Sequence, residues 1–277
     1  MKEFFSNLSL FLPQFFLGSI LGMFLSVLGI ILILRKMAFF GVTLSQVANF
    51  SFALSLFLGF REESFPLIFS VIILVPVFYF TRTTKSKSDT VLGIIFVSFG
   101  SLAQVLLSFG GNVQNHLLSA YFGDILTSEI KIKSFMLLVL GVNIILFIFL
   151  YQKIIFFSFD PDEYKVRNYP KYVEILFLAI VTSMLSISVN LLGSFYSAAQ
   201  LIIPGFTALY LFRKLFLVIL FSILLSFFAT LIGFYISFQE IHYKNETIFL
   251  PTSSSIVVCL ATLCLIFVSF RKWYTHK

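Results

Sequence analysis

The chain has 277 residues, of which 59% are hydrophobic and only 11% charged, and its mean hydropathy of +1.03 excludes a water-soluble globular domain. Its net charge of +7 does not signal nucleic acid binding. The Lys and Arg residues fall in short clusters between apolar runs, where they orient a chain in a bilayer.

A membrane-spanning helix needs about 20 mostly apolar residues. Such runs occur at 11–34, 37–60, 65–81, 89–109, 134–157, 172–192, 195–212, 215–238 and 253–270. They predict an all-α, polytopic membrane protein made of one integral membrane domain over residues 1–277. The first run lacks the short length and small-residue cleavage site of a removable signal peptide, so it reads as a permanent span. The seventh run is short and interrupted by Pro204 and Gly205, which predicts a short or broken segment and a total of eight or nine transmembrane helices. Most of the 39 phenylalanines read as lipid-facing and packing residues. Cys259 and Cys264 are not on one helix face and form neither a disulfide framework nor a zinc motif.

With nine crossings, one set of alternate loops holds Lys2, Arg61, Lys131, Lys133 and Lys244, and the other set holds the remaining fourteen of the nineteen basic residues. This asymmetry predicts an N-terminus outside and a C-terminus in the cytoplasm. On the cytoplasmic side, "FDPDEYKVRNYPKY" at 159–172 is acidic at its start and bounded by Pro161 and Pro170. A surface helix beginning near Pro161 fits that pattern. Two outer loops, 110–129 and 239–254, are also long enough to act.

Several chemistries are missing from the pattern. No glycine is followed by Lys-Ser or Lys-Thr, so the chain carries no phosphate-binding loop and does not itself hydrolyse ATP. Three histidines, His116, His242 and His276, are scattered over three regions, and no hydrolase motif accompanies them. No chain of embedded acids suggests ion-coupled carriage.

What remains is a set of uncharged polar side chains within the spans. Asn143 is isolated and reads as an interhelical contact, worth about 0.6 kcal/mol. The second span is different, because Thr43, Ser45, Gln46 and Asn49 fall within seven residues. Gln46 and Asn49 share one helix face with Val42 and Ala53. Gln200 precedes Pro204, where freed backbone groups could line a cavity. The candidate substrate path is therefore Thr43, Gln46, Asn49, Gln104, Asn190 and Gln200, with interhelical bonding as the alternative role for each.

Four ordered stretches resemble one family, the permease subunits of bacterial ABC importers for zinc, manganese and iron. "RKMAFFGVTLSQVANFSFALSLFLG" is similar to its basic-Met-x-aromatic-Phe-Gly-Asp-x-Leu-x-His segment and "DTVLGIIFVSFGSLAQVL" to its Asp-Thr-x-x-Gly-Ile opening. "YFGDIL" and "LLGSFYSAAQLIIPGFTA" resemble its Leu-Phe-Gly-Asp-Ile-Leu and Ile-Ile-Pro-Ala segments. The resemblance covers nearly the whole chain. It implies a homo- or heterodimer with a second permease in the bacterial cytoplasmic (inner) membrane. It also implies a cytoplasmic ATPase subunit that uses ATP, an extracytoplasmic substrate-binding protein, and no cofactor bound by this chain. By the same resemblance Asp160, Pro161, Asp162 and Glu163 correspond to the cytoplasmic loop that docks on the ATPase, although the family's later glycine is not matched by "KVRNYP".

The departures fall at the family's metal path. Where the resemblance calls for Asp and His, this chain has Val42 and Gln46, and a divalent ion finds only a neutral carbonyl oxygen on glutamine. His116 stands where the family usually has an acid, near Asp124, and the two are candidate metal ligands on the outer side. As a surface or interface residue, His116 has a second reading. Three versions of the permease fit: a metal permease with an altered path, half of a heterodimer, or a permease for a different or chelated substrate. A non-transporting membrane scaffold or sensor is the alternative from another class.

Overall fold

The computed structural model describes residues 12–60, 62, 64–83, 88–109, 134–159, 172–239, 241–243, 246–248 and 250–275. Among these residues are nine helices: α1 (Leu12–Leu34), α2 (Ala38–Phe57), α3 (Ser64–Thr83), α4 (Ser88–Ser108), α5 (Ser134–Phe159), α6 (Tyr172–Leu192), α7 (Ser194–Leu211), α8 (Leu215–Ser237) and α9 (Thr252–Thr275). Each apolar run has become one helix, with ends within a few residues of those expected. Between α8 and α9 lies one small antiparallel hairpin, β1 (Ile241–Tyr243) and β2 (Glu246–Ile248), with His242 opposite Thr247. It leaves the architecture all-α.

Eight of the helices are long and apolar enough to cross a bilayer, and the exception is α7. It is short, yet it is a continuous helix that carries Pro204 within it. Its neighbours show its direction. Tyr196 near its start bonds to Gly18, while Gly205 packs on Ile30 and Ile33, so α7 runs alongside α1 in the same direction. One residue, Gly193 at φ 85, joins α6 to α7. That left-handed conformation suits glycine, and it folds α7 back so that the Ser197 hydroxyl donates to Ser188 Oγ at 2.7 Å. The nine helices thus include eight candidate spans and the shorter α7, packed among them.

Burial separates an inner set of helices from an outer one. About three quarters of the α1 and α6 spans are inside the protein (72% and 78%) and two thirds of α2 (67%), against 17% for α4 and 22% for α3 and α5. With α7, these three form the centre, and the others wrap it. Apolar side chains such as Phe149, Phe216 and Phe270 point outward, as expected where the surroundings are lipid. Others pack inside edge to face, among them Phe15 and Phe234, whose ring centres are 5.3 Å apart.

Two turns anchor the central helix α2. Ahead of it, Lys36 takes φ 57, and the Met37 and Lys36 amides donate to the Leu32 and Ile33 carbonyls at 2.8 and 2.9 Å. This is a paired-bond helix stop of the kind glycine usually provides. After α2, Gly59 at φ 76 provides the same stop, with Phe60 N–H donating to the Ser55 carbonyl at 3.0 Å.

Candidate functional site

The polar stretch of α2 is wholly inside the protein. Thr43, Ser45, Gln46, Asn49, Ser51 and Ser55 are all buried. The hydroxyls are satisfied locally: Thr43 donates to the Phe39 carbonyl at 2.9 Å, Ser45 to Val42 at 2.7 Å and Ser51 to Val47 at 2.8 Å. The amides are not. Gln46 Oε1 and both Asn49 side-chain atoms, Oδ1 and Nδ2, are buried without a hydrogen-bond partner among the described residues. Asn49 is fully buried and Gln46 nearly so. Each unpaired buried polar group costs about 1–3 kcal/mol.

Packing on either side shows which way these amides face. A Cβ at Gly41 would sit 2.7 Å from the Leu201 side chain of α7 and 2.8 Å from Leu32 of α1, so that side of α2 is pressed against the centre. Phe50 meets Phe99 of α4 edge to face at 5.0 Å, and Ala53 packs with Ala103 and Leu107. Helical rotation of about 100° per residue puts Gln46 between Phe50 and Ala53 on the side that meets α4, and Asn49 beside Ala53 at the edge of that side. They lie about 12 to 17 Å along a helix some 30 Å long, near mid-membrane depth.

Gln200 has a different environment. Its Nε2 donates to Tyr196 Oη at 3.4 Å and to Thr230 Oγ1 at 3.3 Å, while its Oε1 accepts from the Ser226 hydroxyl at 2.7 Å. Tyr196 in turn donates to the Gly18 carbonyl at 3.0 Å. The buried network ties α7 to α8 and α1. Asn143 makes an interhelical contact as well, accepting from the Ser183 hydroxyl at 2.8 Å. Gln104 is exposed on the outer face of α4, and Asn190 is half-buried in the last turn of α6. The structure thus brings Thr43, Gln46 and Asn49 together on α2 and does not bring Gln104 or Asn190 to them. His116, Asp124, Asp160, Pro161, Asp162 and Glu163 lie outside the described residues. No group of three His, Cys, Asp or Glu side chains suited to a metal occurs among the described residues.

Sequence reasoning missed an ion pair at the other end of α1. Arg35 pairs with Glu174, both side chains being largely buried, and its guanidinium lies 4.5 Å from the centre of the Phe157 ring and 5.7 Å from that of Phe177. A basic residue at the end of a span reads as a topology signal. Nothing in the local sequence points to a partner 139 positions away.

A bundle of alternating membrane helices, with unpaired amides at the depth of its centre, defines a multi-pass membrane protein with a candidate polar path. The model of the ABC 3 transport family matches residues 7–271, and the chain belongs to that family. It is 28% identical over 267 residues to the manganese import system permease protein ScaB of Streptococcus gordonii, covering 93% of this chain and 91% of that protein. It is also 28% identical over 199 residues to the high-affinity zinc uptake system membrane protein ZnuB of Haemophilus influenzae, covering 71% and 76%. Among solved structures, PsaBC from Streptococcus pneumoniae in complex with Fab has the same fold. There the TM-score is 0.81 at 24% identity, with 96% of this chain and 94% of that chain covered.

Proposed function

We propose that this chain is the membrane permease subunit of a bacterial ABC importer for a divalent metal, with the cargo passing the Gln46 and Asn49 face of α2. The chain pairs with a second permease in the inner membrane. A cytoplasmic ATPase subunit drives the pair through the segment at Asp160, Pro161, Asp162 and Glu163, and an extracytoplasmic binding protein delivers the substrate. Family membership and the relatives named for zinc and manganese support the general reading. The observation that carries the path is the unpaired amides: a membrane helix keeps three buried polar atoms unsatisfied where leucine would pack at no such cost.

The donor types bear on the cargo. Gln46 and Asn49 offer neutral carbonyl oxygens, which suit hard cations that keep some of their water, whereas zinc prefers imidazole and thiolate. Water bound to a divalent cation is a strong donor, and the two amide oxygens are free to accept from it. The proposed cargo therefore crosses α2 with part of its ligand shell in place, which fits manganese better than zinc. Gln200, Gln104 and Asn190 stay outside this inner path, with Gln200 holding α7 in position.

Membrane vesicles containing the permease, its ATPase and its binding protein should accumulate radioactive manganese only when ATP is present. Gln46→Leu should remove that accumulation while leaving the amount of inserted protein unchanged. Absence of ATP-dependent metal accumulation by the intact complex would sink the permease reading. Full activity in Gln46→Leu would sink the path.

A further inference from the structure

Arg35 is placed where three parts of the protein meet. Its guanidinium stacks on Phe157, two residues before the end of α5, and pairs with Glu174, two residues after the start of α6. These are the helices that flank residues 160–171. Phe177, one turn further along α6, lies 5.7 Å away on the same cation. A single side chain therefore touches both helices that flank the segment proposed to meet the ATPase.

On its other side Arg35 leads directly into α2. The Arg35, Lys36 and Met37 amides donate to the Ile31, Ile33 and Leu32 carbonyls at 3.0, 2.9 and 2.8 Å. Lys36 is held at φ 57, the one non-glycine residue with positive φ among those described. A side chain in that conformation is kept there only by surroundings that over-determine it, so the turn has little slack. Ala38 opens α2 directly afterwards, and the helix continues unbroken past Gln46 and Asn49. The ion pair is largely withdrawn from water, with the two side chains 7% and 12% exposed. Its attraction is therefore weakly screened, and the flat guanidinium can pair and stack at once in a way a lysine cannot.

We propose that Arg35 is a positioning residue that couples the 160–171 segment to α2, transmitting displacement of the α5 and α6 ends to Gln46 and Asn49 through the Arg35–Glu174 pair. The inference rests on the reading of Asp160, Pro161, Asp162 and Glu163 as the ATPase contact. The rings of Phe157 and Phe177 fix the direction of the guanidinium, and Glu174 fixes its distance. Movement at the cytoplasmic ends of α5 and α6 then pulls on the start of α2.

The test is the number of ATP molecules hydrolysed per manganese ion taken up by the whole complex in vesicles. Arg35→Gln should raise that ratio at least about tenfold, with the ATPase subunit still co-purifying. Phe157→Leu, which leaves the ion pair in place and protects against a folding defect, should raise it in the same direction. Exchanging the charges by Arg35→Glu with Glu174→Arg should bring the ratio back toward the wild-type value. An unchanged ratio in both Arg35→Gln and Phe157→Leu overturns the inference. The docking reading is tested apart from it by Asp162→Lys with Glu163→Lys. Normal uptake in that variant overturns the docking reading and the inference together, whereas lost uptake there beside an unchanged Arg35→Gln ratio overturns the inference alone.

Discussion

Replacing Gly29 by alanine should separate the two helices at the centre of the protein. A Cβ built at Gly29 falls 1.5 Å from the Leu201 carbonyl oxygen and 2.7 Å from its carbon, where real Cβ contacts stay above 3.0 Å. The obstacle is backbone, so no side chain can swing aside, and α1 and α7 must part by roughly 1.5 Å at this level to reach that limit. Nearby contacts would be lost with it. Gly205 sits 3.1 Å from the Ile30 amide by the same measure, and the Tyr196 bond to Gly18 spans the same pair of helices. Overpacking of this kind costs about 1–3 kcal/mol, and the better helix propensity of alanine returns only about 0.5–1 kcal/mol. A net loss of stability follows. Gly141→Ala is the control, because nothing lies within 4 Å of a Cβ there, and it should be neutral or slightly stabilising. The assay is the fraction of detergent-purified protein that stays monodisperse after heating. Gly29→Ala should fall several degrees below wild type, with Gly141→Ala at or above it. Equal melting of Gly29→Ala and wild type would refute the close α1–α7 crossing.

Because their amides are unpaired, Gln46→Leu and Asn49→Leu should each raise thermal stability, by about 1 kcal/mol, while abolishing uptake; a loss of stability would mean that the amides have partners. Lys36→Gly should stabilise the α1–α2 turn by up to about 1 kcal/mol, since glycine carries no penalty at φ 57, and a lower melting point would contradict that account of the turn. Once Cys259 and Cys264 are replaced, a cysteine at Asn245 should react with an impermeant thiol reagent in intact cells and one at Thr84 should not. The opposite labelling would reverse the proposed orientation.

The helices were legible in the sequence because a bilayer sets their length, so each apolar run has to become a span of about the right size. The seventh run was ambiguous for a local reason: Pro204 and Gly205 look like a break when read alone. In the fold they are accommodated, since Gly205 lets α7 approach Ile30 closely and the helix continues. The amide stretch of α2 stood out because its density of polar groups is costly at membrane depth whatever the neighbours are. Gln200 looked equivalent in sequence. Its satisfaction depends on Ser226 and Thr230, two hydroxyls on another helix that no local pattern connects to it. Arg35 and Glu174 were hidden in the same way, because each looks like an ordinary charge at the end of a span until the bundle brings them together.

The central claim is that the Gln46 face of α2 meets the cargo, and a change in preference tests it more directly than a loss of activity. Loss can follow from any structural damage, whereas a gain of preference for the ion that the introduced ligands suit requires them to lie where the ion passes. Val42→Asp with Gln46→His puts a carboxylate and an imidazole four residues apart on that face. The measurement is the ratio of zinc to manganese taken up by vesicles containing the complete complex, with both metals present in equal amounts. The account predicts that wild type favours manganese and that the double variant shifts the ratio toward zinc by at least about tenfold. An unchanged ratio, in a variant that still transports, would contradict it.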